Sequence, residues 1–168
     1  MENPPAKIAV VIPAYRVAEQ IRAVVLAVLE TGAADRVIVV DDGCPDGSGK
    51  AAEAIKADRL TVVYHEENRG VGAAVVTGYE RAHAFGCDIV VKIDGDGQMD
   101  PRHIRRFIGP LVRDDADYVK GNRFRDWETL KSMPAIRLFG NSILSFLVKA
   151  ASGYWNIMDP TNGFTAIH

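Results

Sequence analysis

Four short runs rich in valine and isoleucine, Lys7–Ile12, Arg36–Val40, Leu60–Tyr64 and Asp88–Ile93, punctuate the N-terminal part of the sequence. Each is apolar at nearly every position rather than at every second one, which is the pattern of a strand covered on both faces. Between them lie longer segments with polar residues at helical spacing and few internal breakers: Ala18–Glu30, Gly47–Lys56 and Val71–Phe85. The order β-α-β-α-β-α-β predicts an α/β fold, a mostly parallel central sheet with helices on both faces and right-handed crossovers. Sheets of this kind bind ligands outside the carboxyl ends of their strands, so chemistry is expected in the loops that follow the strands.

Those loops read IPAYR, VDDGCPDGS, HEENRGVG and IDGDGQMDP, and three of the four are acidic. A dinucleotide-binding domain would place G-x-G-x-x-G directly after its first strand, where glycines let backbone amides approach pyrophosphate. Pro13-Ala14-Tyr15 cannot do this, the pair Gly70 and Gly72 comes after the third strand and lacks the last glycine, and no P-loop occurs. The fourth loop carries Asp94 and Asp96, separated by Gly95 and followed by Gly97. A calcium loop of the EF-hand kind also begins D-x-D, but the positions that need its central glycine and last glutamate hold Met99 and Arg105, which excludes it. Two readings remain. Asp and Gly are turn residues, so Asp94–Gly97 could be a solvated turn. Alternatively, Asp94, Asp96 and the amide oxygen of Gln98 offer oxygen ligands at alternate positions to Mg²⁺ or Mn²⁺, letting an acidic edge accept a phosphate-bearing ligand. Asp100-Pro101 reads as an N-cap and first helical residue of a segment Pro101–Val112.

A chain of 168 residues is the size of one domain and can bury a core without metal or disulfide staples. The net charge of −2 offers no electrostatic reason to expect a nucleic-acid partner. Cys44 and Cys87 lie far apart and have no C-x-x-C partner, which suits reduced thiols in a cytoplasmic chain. The apolar N-terminal run is broken by Pro13 before it could serve as an export signal. Nowhere is there an uninterrupted stretch of about 20 apolar residues that would span a bilayer. His65, His83 and His103 lack the spacing of a metal trio or a Ser-His-Asp arrangement and read as structural or surface residues.

Taken in order, VVIPAY, VDDGCPDGS, ENRGVGAAVVTGYERA, KIDGDGQMDP, GNRF and DPTNGF resemble the family-two inverting glycosyltransferases, most of all the dolichyl- and polyprenyl-phosphate sugar synthases. The resemblance runs from Ile8 to Phe164 and implies the GT-A nucleotide-diphosphosugar transferase fold over a single catalytic domain, 1–168. It implies that Asp94 and Asp96, with Gln98, hold Mg²⁺ or Mn²⁺ on the donor diphosphate. By the same resemblance, Pro13, Tyr15 and Asp42 contact the base and ribose of a UDP- or GDP-sugar, with Asp41 beside them. Asn68, Gly70 and Gly72 match the family's N-x-G-x-G loop at the donor edge, and Arg123 matches a basic residue near the diphosphate or the acceptor phosphate. Where family members often read Pro-x-Tyr-Asn-Glu, this sequence has Arg16 and Val17.

The reaction so implied is an inverting transfer, in which an acceptor oxygen attacks the anomeric carbon in line as nucleoside diphosphate departs. A sugar hydroxyl would need a base, for which Asp159 is the candidate. A phosphate monoester, with a second pKa of about 6, needs little such help. Residues 136–155, IRLFGNSILSFLVKAASGYW, place Arg137, Asn141, Ser145 and Lys149 on one helical stripe and Ile136, Phe139, Ile143, Phe146 and Leu147 on another. That amphipathic pattern fits either a helix covering the sheet or a helix at a membrane interface. The resemblance favours the second, and with it a polyprenyl phosphate acceptor at the cytosolic face of the membrane in cell-envelope synthesis. A saccharide acceptor, or a non-catalytic nucleotide-sugar-binding module, is the alternative. Family members usually continue beyond the point matching His168, so the chain is expected to be a truncated catalytic domain.

Overall fold

The computed structural model describes residues 5–122, 144–151, 153 and 162–168. Arg123 and Asp159 lie outside the described residues. The chain groups into two compact units, Met1–Val119 with Phe164–His168, and Lys120–Gly163.

The first unit is built on the expected alternation: β1 (Ile8–Ala14), α1 (Ala18–Glu30), β2 (Arg36–Asp41), α2 (Ser48–Glu53), β3 (Leu60–Tyr64), α3 (Val71–Ala84) and β4 (Ile89–Lys92). A 3-10 turn, Pro101–His103, leads into α4 (Ile104–Val112), and two further strands follow, β5 (Tyr118–Lys120) and β6 (Thr165–Ile167). The sheet order is β3-β2-β1-β4-β6-β5. β1 pairs parallel with β2 and with β4, β2 pairs parallel with β3, and β6 runs antiparallel to β4. The chain thus winds outward from β1 through β2 to β3, then returns to place β4 on the other side of β1. The gap between β1 and β4 is therefore the topological switch point, where open α/β sheets bind their ligands.

Both faces of the sheet are covered, which is why the strands read as continuous apolar runs. On one face Val10, Ile12, Val37, Val39, Ile89 and Val91 pack with Ile21, Val25 and Val28 of α1, Ala52 of α2 and Ile104, Ile108 and Leu111 of α4. On the other, Ala9, Val11, Ile38, Val40 and Val90 pack with Ala74 and Ala82 of α3.

Several boundaries differ from the sequence-based expectation for identifiable reasons. β1 extends past Ile12 because Pro13 and Ala14 still pair with Val40 and Asp41. Val11 O accepts from Ile93 N on the β4 side and Ala14 O from Asp42 N on the β2 side, so Pro13 turns its nitrogen toward β4. The β4 register stops at Val11 and Lys92, so the proline leaves no ladder bond unmade, and the two strands part there. α2 ends at Glu53 rather than Lys56, which has φ 51°, outside the helical region. The segment from Pro101 opens as a 3-10 turn capped by Asp100, whose Oδ1 accepts from Arg102 N at 2.9 Å.

Candidate functional site

The loops after β1 to β4 meet in one cleft of about 280 Å³, lined by Pro13, Ala14, Tyr15 and Val17, by Asp42, by Asn68, Gly70, Val71 and Ala74, and by Asp94, Gly95 and Asp96. Seven residues singled out from the sequence, Pro13, Tyr15, Asp42, Asn68, Gly70, Asp94 and Asp96, are brought together here from four separate loops. Gln98 is exposed on the same loop as Asp96, and Gly72 is exposed on the first turn of α3; neither lines the cleft.

Asp41 and Asp42 are adjacent, both buried, and face different surroundings. Asp41 Oδ1 accepts from Cys44 N at 2.7 Å and Oδ2 from Gly49 N at 2.6 Å, so its carboxylate ties the β2 loop to the start of α2. It lines a separate depression with Gly43, Cys44, Lys50 and Tyr64, not the cleft. Asp42 faces the cleft. Its Oδ1 accepts from Arg69 N at 3.0 Å and contacts His65 Nδ1 at 2.7 Å, and its Oδ2 accepts from Gly70 N at 2.8 Å. Burial pushes this carboxyl up, but the Arg69 amide, the His65 ring and the Gly70 amide outweigh it and hold the group below the usual aspartate range.

The β1 loop is fastened from the β2 loop. Arg16 N donates to Cys44 Sγ at 2.9 Å, Val17 N to Ser48 Oγ at 2.9 Å and Ala18 N to Asp46 Oδ2 at 3.0 Å. Asp46 also accepts from Ser48 Oγ at 2.7 Å, so the motif VDDGCPDGS gives a partner to the free amide of Ala18 at the start of α1 and to the two amides that lead into it. Arg16 adopts φ 56° and lays its guanidinium over the Tyr15 ring at 5.4 Å.

On the opposite wall the Lys92 ammonium pairs with Asp94 Oδ1. Asp96 is exposed, its Oδ1 accepting from Gln98 N at 3.0 Å. Gly95 is buried under them. A Cβ there would come within 3.1 Å of Ile21 Cδ1 and 3.3 Å of the Pro13 carbonyl, so the glycine sets how closely this loop approaches the β1 loop. Among the described residues no group of three or more His, Cys, Asp or Glu side chains could enclose a metal ion. Two carboxylates on one open loop are the donor set of a cation whose remaining ligands are phosphate oxygens and water, and they fit Mg²⁺ or Mn²⁺ in that role.

Sequence reasoning placed His65 among the structural or surface residues and singled out neither Thr77 nor Lys92. A signal for the first existed: the β2–β3 register pairs Asp41 with Tyr64, so the next residues, Asp42 and His65, leave the strands side by side.

Residues 9–168 match the family described as Glycosyl transferase family 2, and the chain belongs to it. It is similar to the UDP-N-acetylglucosamine–dolichyl-phosphate N-acetylglucosaminyltransferase of Methanococcus voltae, with 33% identity over 170 residues that cover 93% of this chain and 67% of that protein. It is also similar to the polyprenol monophosphomannose synthase of Mycolicibacterium smegmatis, 30% identical over 139 residues covering 81% and 52% of the two chains. The fold matches glucosyl-3-phosphoglycerate synthase from Mycobacterium tuberculosis, solved with Mn²⁺, UDP and glucosyl-3-phosphoglycerate, with a TM-score of 0.72 at 24% identity over 96% of this chain and 56% of that one. The chain therefore has the GT-A fold and spans about half to two thirds of the length of these proteins.

Proposed function

We propose that this domain transfers a sugar from a nucleoside-diphosphate donor bound in the cleft to a polyprenyl phosphate. The observation that carries the reading is the meeting of the β1 to β4 loops, with Tyr15 and Asp42 on one side and Asp94 and Asp96 on the other, at the switch point of the sheet. Tyr15 offers an exposed ring and Asp42 an ionised acceptor, which suit the base and ribose. Asp94 and Asp96, with Gln98, would hold Mg²⁺ or Mn²⁺ at the diphosphate; when bound, the cation stabilises the charge that develops on the departing phosphate. The neighbour solved with Mn²⁺ and UDP supports this use of the fold.

Lys92 answers part of the negative charge on the loop, so the cleft wall is less repulsive to a diphosphate than two bare carboxylates would be. Arg123 is assigned to the acceptor phosphate. An ionised phosphate needs no base, which leaves Asp159 to orient the acceptor; with a sugar hydroxyl Asp159 would take the proton. The dolichyl- and polyprenol-phosphate relatives support the lipid acceptor. The family match runs through both compact units, which supports a single catalytic domain. No helix among the described residues is long and apolar enough to cross a membrane; the contact proposed with the cytosolic face is a peripheral one.

Incubation with labelled UDP- and GDP-sugars and Mn²⁺, with either polyprenyl phosphate or soluble saccharides in detergent, tests the reading. Label in the lipid phase together with released nucleoside diphosphate is the expected result. Transfer to saccharides alone would replace the acceptor, and metal-dependent donor binding without release would leave a binding module.

A further inference from the structure

Behind the cleft wall, away from the donor, a chain of buried polar groups joins three elements. Thr77 on α3 lies 2.9 Å by its Oγ1 from His65 Nε2, and His65 Nδ1 lies 2.7 Å from Asp42 Oδ1. Asp42 in turn holds the amides of Arg69 and Gly70. The His65 and Asp42 side chains are 5% and 3% exposed, so neither carboxylate nor imidazole can fall back on water if a partner is lost. The direction of the chain follows from chemistry. An ionised Asp42 only accepts, so His65 Nδ1 carries a proton; in the neutral ring Nε2 then accepts, and Thr77 donates to it.

The two amides that Asp42 holds belong to the segment Asn68–Gly70, and Asn68 and Gly70 line the cleft. Asn68 Oδ1 also accepts from Gly70 N at 3.0 Å, so the position of that one amide fixes the Asn68 side chain as well. Among the described cleft-lining residues Asp42 is the one whose side chain bonds the loop after β2 to the loop after β3, beside the close packing of Gly43 on the Glu67–Asn68 backbone, so the orientation of its carboxylate helps set where the Asn68–Gly70 edge stands. A free carboxylate would rotate about its Cβ–Cγ bond. His65 adds a side-chain hold on Oδ1 beside the Arg69 amide, and Thr77 bonds the far nitrogen of the imidazole.

We propose that His65, backed by Thr77, is a positioning residue of the donor cleft: it locks the Asp42 carboxylate so that Asp42 can hold the Arg69 and Gly70 amides and thereby set the Asn68–Gly70 edge. The proposal rests on the reading of this cleft as a nucleoside-diphosphate site. It separates Asp42, which faces the ligand, from a residue one layer behind that never touches it.

The test uses His65→Leu, His65→Asn and Thr77→Val, with UDP and GDP plus Mn²⁺ as probes in calorimetry. In parallel, amide exchange at Arg69 and Gly70 is followed by NMR without ligand. Asparagine can place its amide nitrogen near the position of Nδ1 and donate to Asp42; leucine cannot. Removing one hydrogen bond to a charged group predicts about a tenfold or larger weakening of nucleotide binding in His65→Leu, and comparably faster exchange at the two amides. His65→Asn is expected to restore both to within about threefold, since it keeps the charge-assisted bond. In turnover, KM for the donor should rise while kcat stays near the parent value. If His65→Leu does not fold, the decision passes to Thr77→Val, which should speed exchange at both amides while the protein remains folded. Unaltered exchange and affinity in Thr77→Val and His65→Leu, or failure of asparagine to rescue a folded His65→Leu defect, would overturn the proposal. Absence of nucleotide binding in the parent protein would instead remove the donor reading on which it rests.

Discussion

Lys92 and Asp94 are two residues apart on β4 and its following loop, and the ammonium of the first is paired with the carboxylate of the second. Lys92 is buried whereas Asp96, two residues beyond Asp94, is exposed. The two carboxylates of the motif are therefore unequal: Asp94 has a resident counter-charge, and Asp96 has an oxygen facing solvent. Asp96→Ala is expected to lose most Mn²⁺-dependent affinity for a nucleotide sugar, more than about tenfold, because magnesium-type sites with so few protein ligands depend on each one. The fold should be unaffected, since an exposed loop side chain contributes little to the core. Calorimetry with and without Mn²⁺ against thermal melting separates the two effects, and metal-dependent affinity equal to the parent's would remove Asp96 from the site.

Gly78 of α3 faces Val11 of β1, and a Cβ built on it would collide with the valine Cγ1. Both residues are buried, and Val11 lies in the centre of the sheet between β2 and β4. Alanine would gain about 1 kcal/mol of helix propensity. Overpacking costs about 1–3 kcal/mol, and here the obstacle is a rigid β-branched side chain on a central strand. Gly78→Ala is therefore expected to lower stability by up to about 2 kcal/mol despite the better helix former, as the balance of those two effects. Urea denaturation reads this directly, and a stabilised variant would show that α3 can move off the sheet at little cost.

The parallel αβ alternation was legible because strands covered on both faces carry few polar positions, and Val10, Val37 and Ile89 show it plainly. That residues such as Tyr15, Asp42 and Asp94 would meet at one edge was legible for the same reason, since they follow the strands at once. What could not be read lies where short-range signals end. β5 and β6 have three residues each, too few to show a period. Asp41 and Asp42 are alike in sequence, yet alternate sides of the chain send one to α2 and the other to the cleft. Lys92 reads as a polar interruption in a strand until Asp94 is placed beside it. In residues 144–151 Ser145 is buried while Phe146 and Leu147 are exposed, a division that the amphipathic pattern of the sequence does not announce.

Asp42 also makes a prediction for acid. Its folded carboxyl is held below the ordinary value because burial, which raises it, is outweighed by the Arg69 amide, the His65 ring and the Gly70 amide. A depressed folded pKa stabilises the protein fully above the unfolded value, about 3.9, and that stabilisation is lost as pH falls through the lower folded value. Asp42→Asn is expected to be less stable at pH 7 by about 1–3 kcal/mol, the cost of losing charge-assisted hydrogen bonds at a buried site. Its stability should then decline less steeply than the parent's below about pH 4, because the titrating group is gone. Urea midpoints at pH 7, 5, 4 and 3 give the comparison. Parallel slopes for the two proteins below pH 4 would show that Asp42 is not the group that gains a proton there.

The last prediction concerns the lipid. Residues 144–151 are helical, and Phe146 and Leu147 are 60% and 56% exposed, with Leu144 at 41%. These three lie within a single helical turn, and Lys149 follows one turn after Ser145. Bulky apolar residues exposed beside a basic one suit the boundary between headgroups and acyl chains, where each fully buried large side chain contributes about 1.5–3 kcal/mol. Phe146→Asp with Leu147→Asp is therefore expected to weaken binding to anionic phospholipid vesicles by about tenfold or more, since two apolar anchors are lost and two repelled charges gained. Nucleotide binding in the cleft should stay the same, because neither residue lines it. Vesicle co-sedimentation beside nucleotide calorimetry measures both quantities on one preparation. Equal sedimentation of parent and double variant would detach this helix from the membrane.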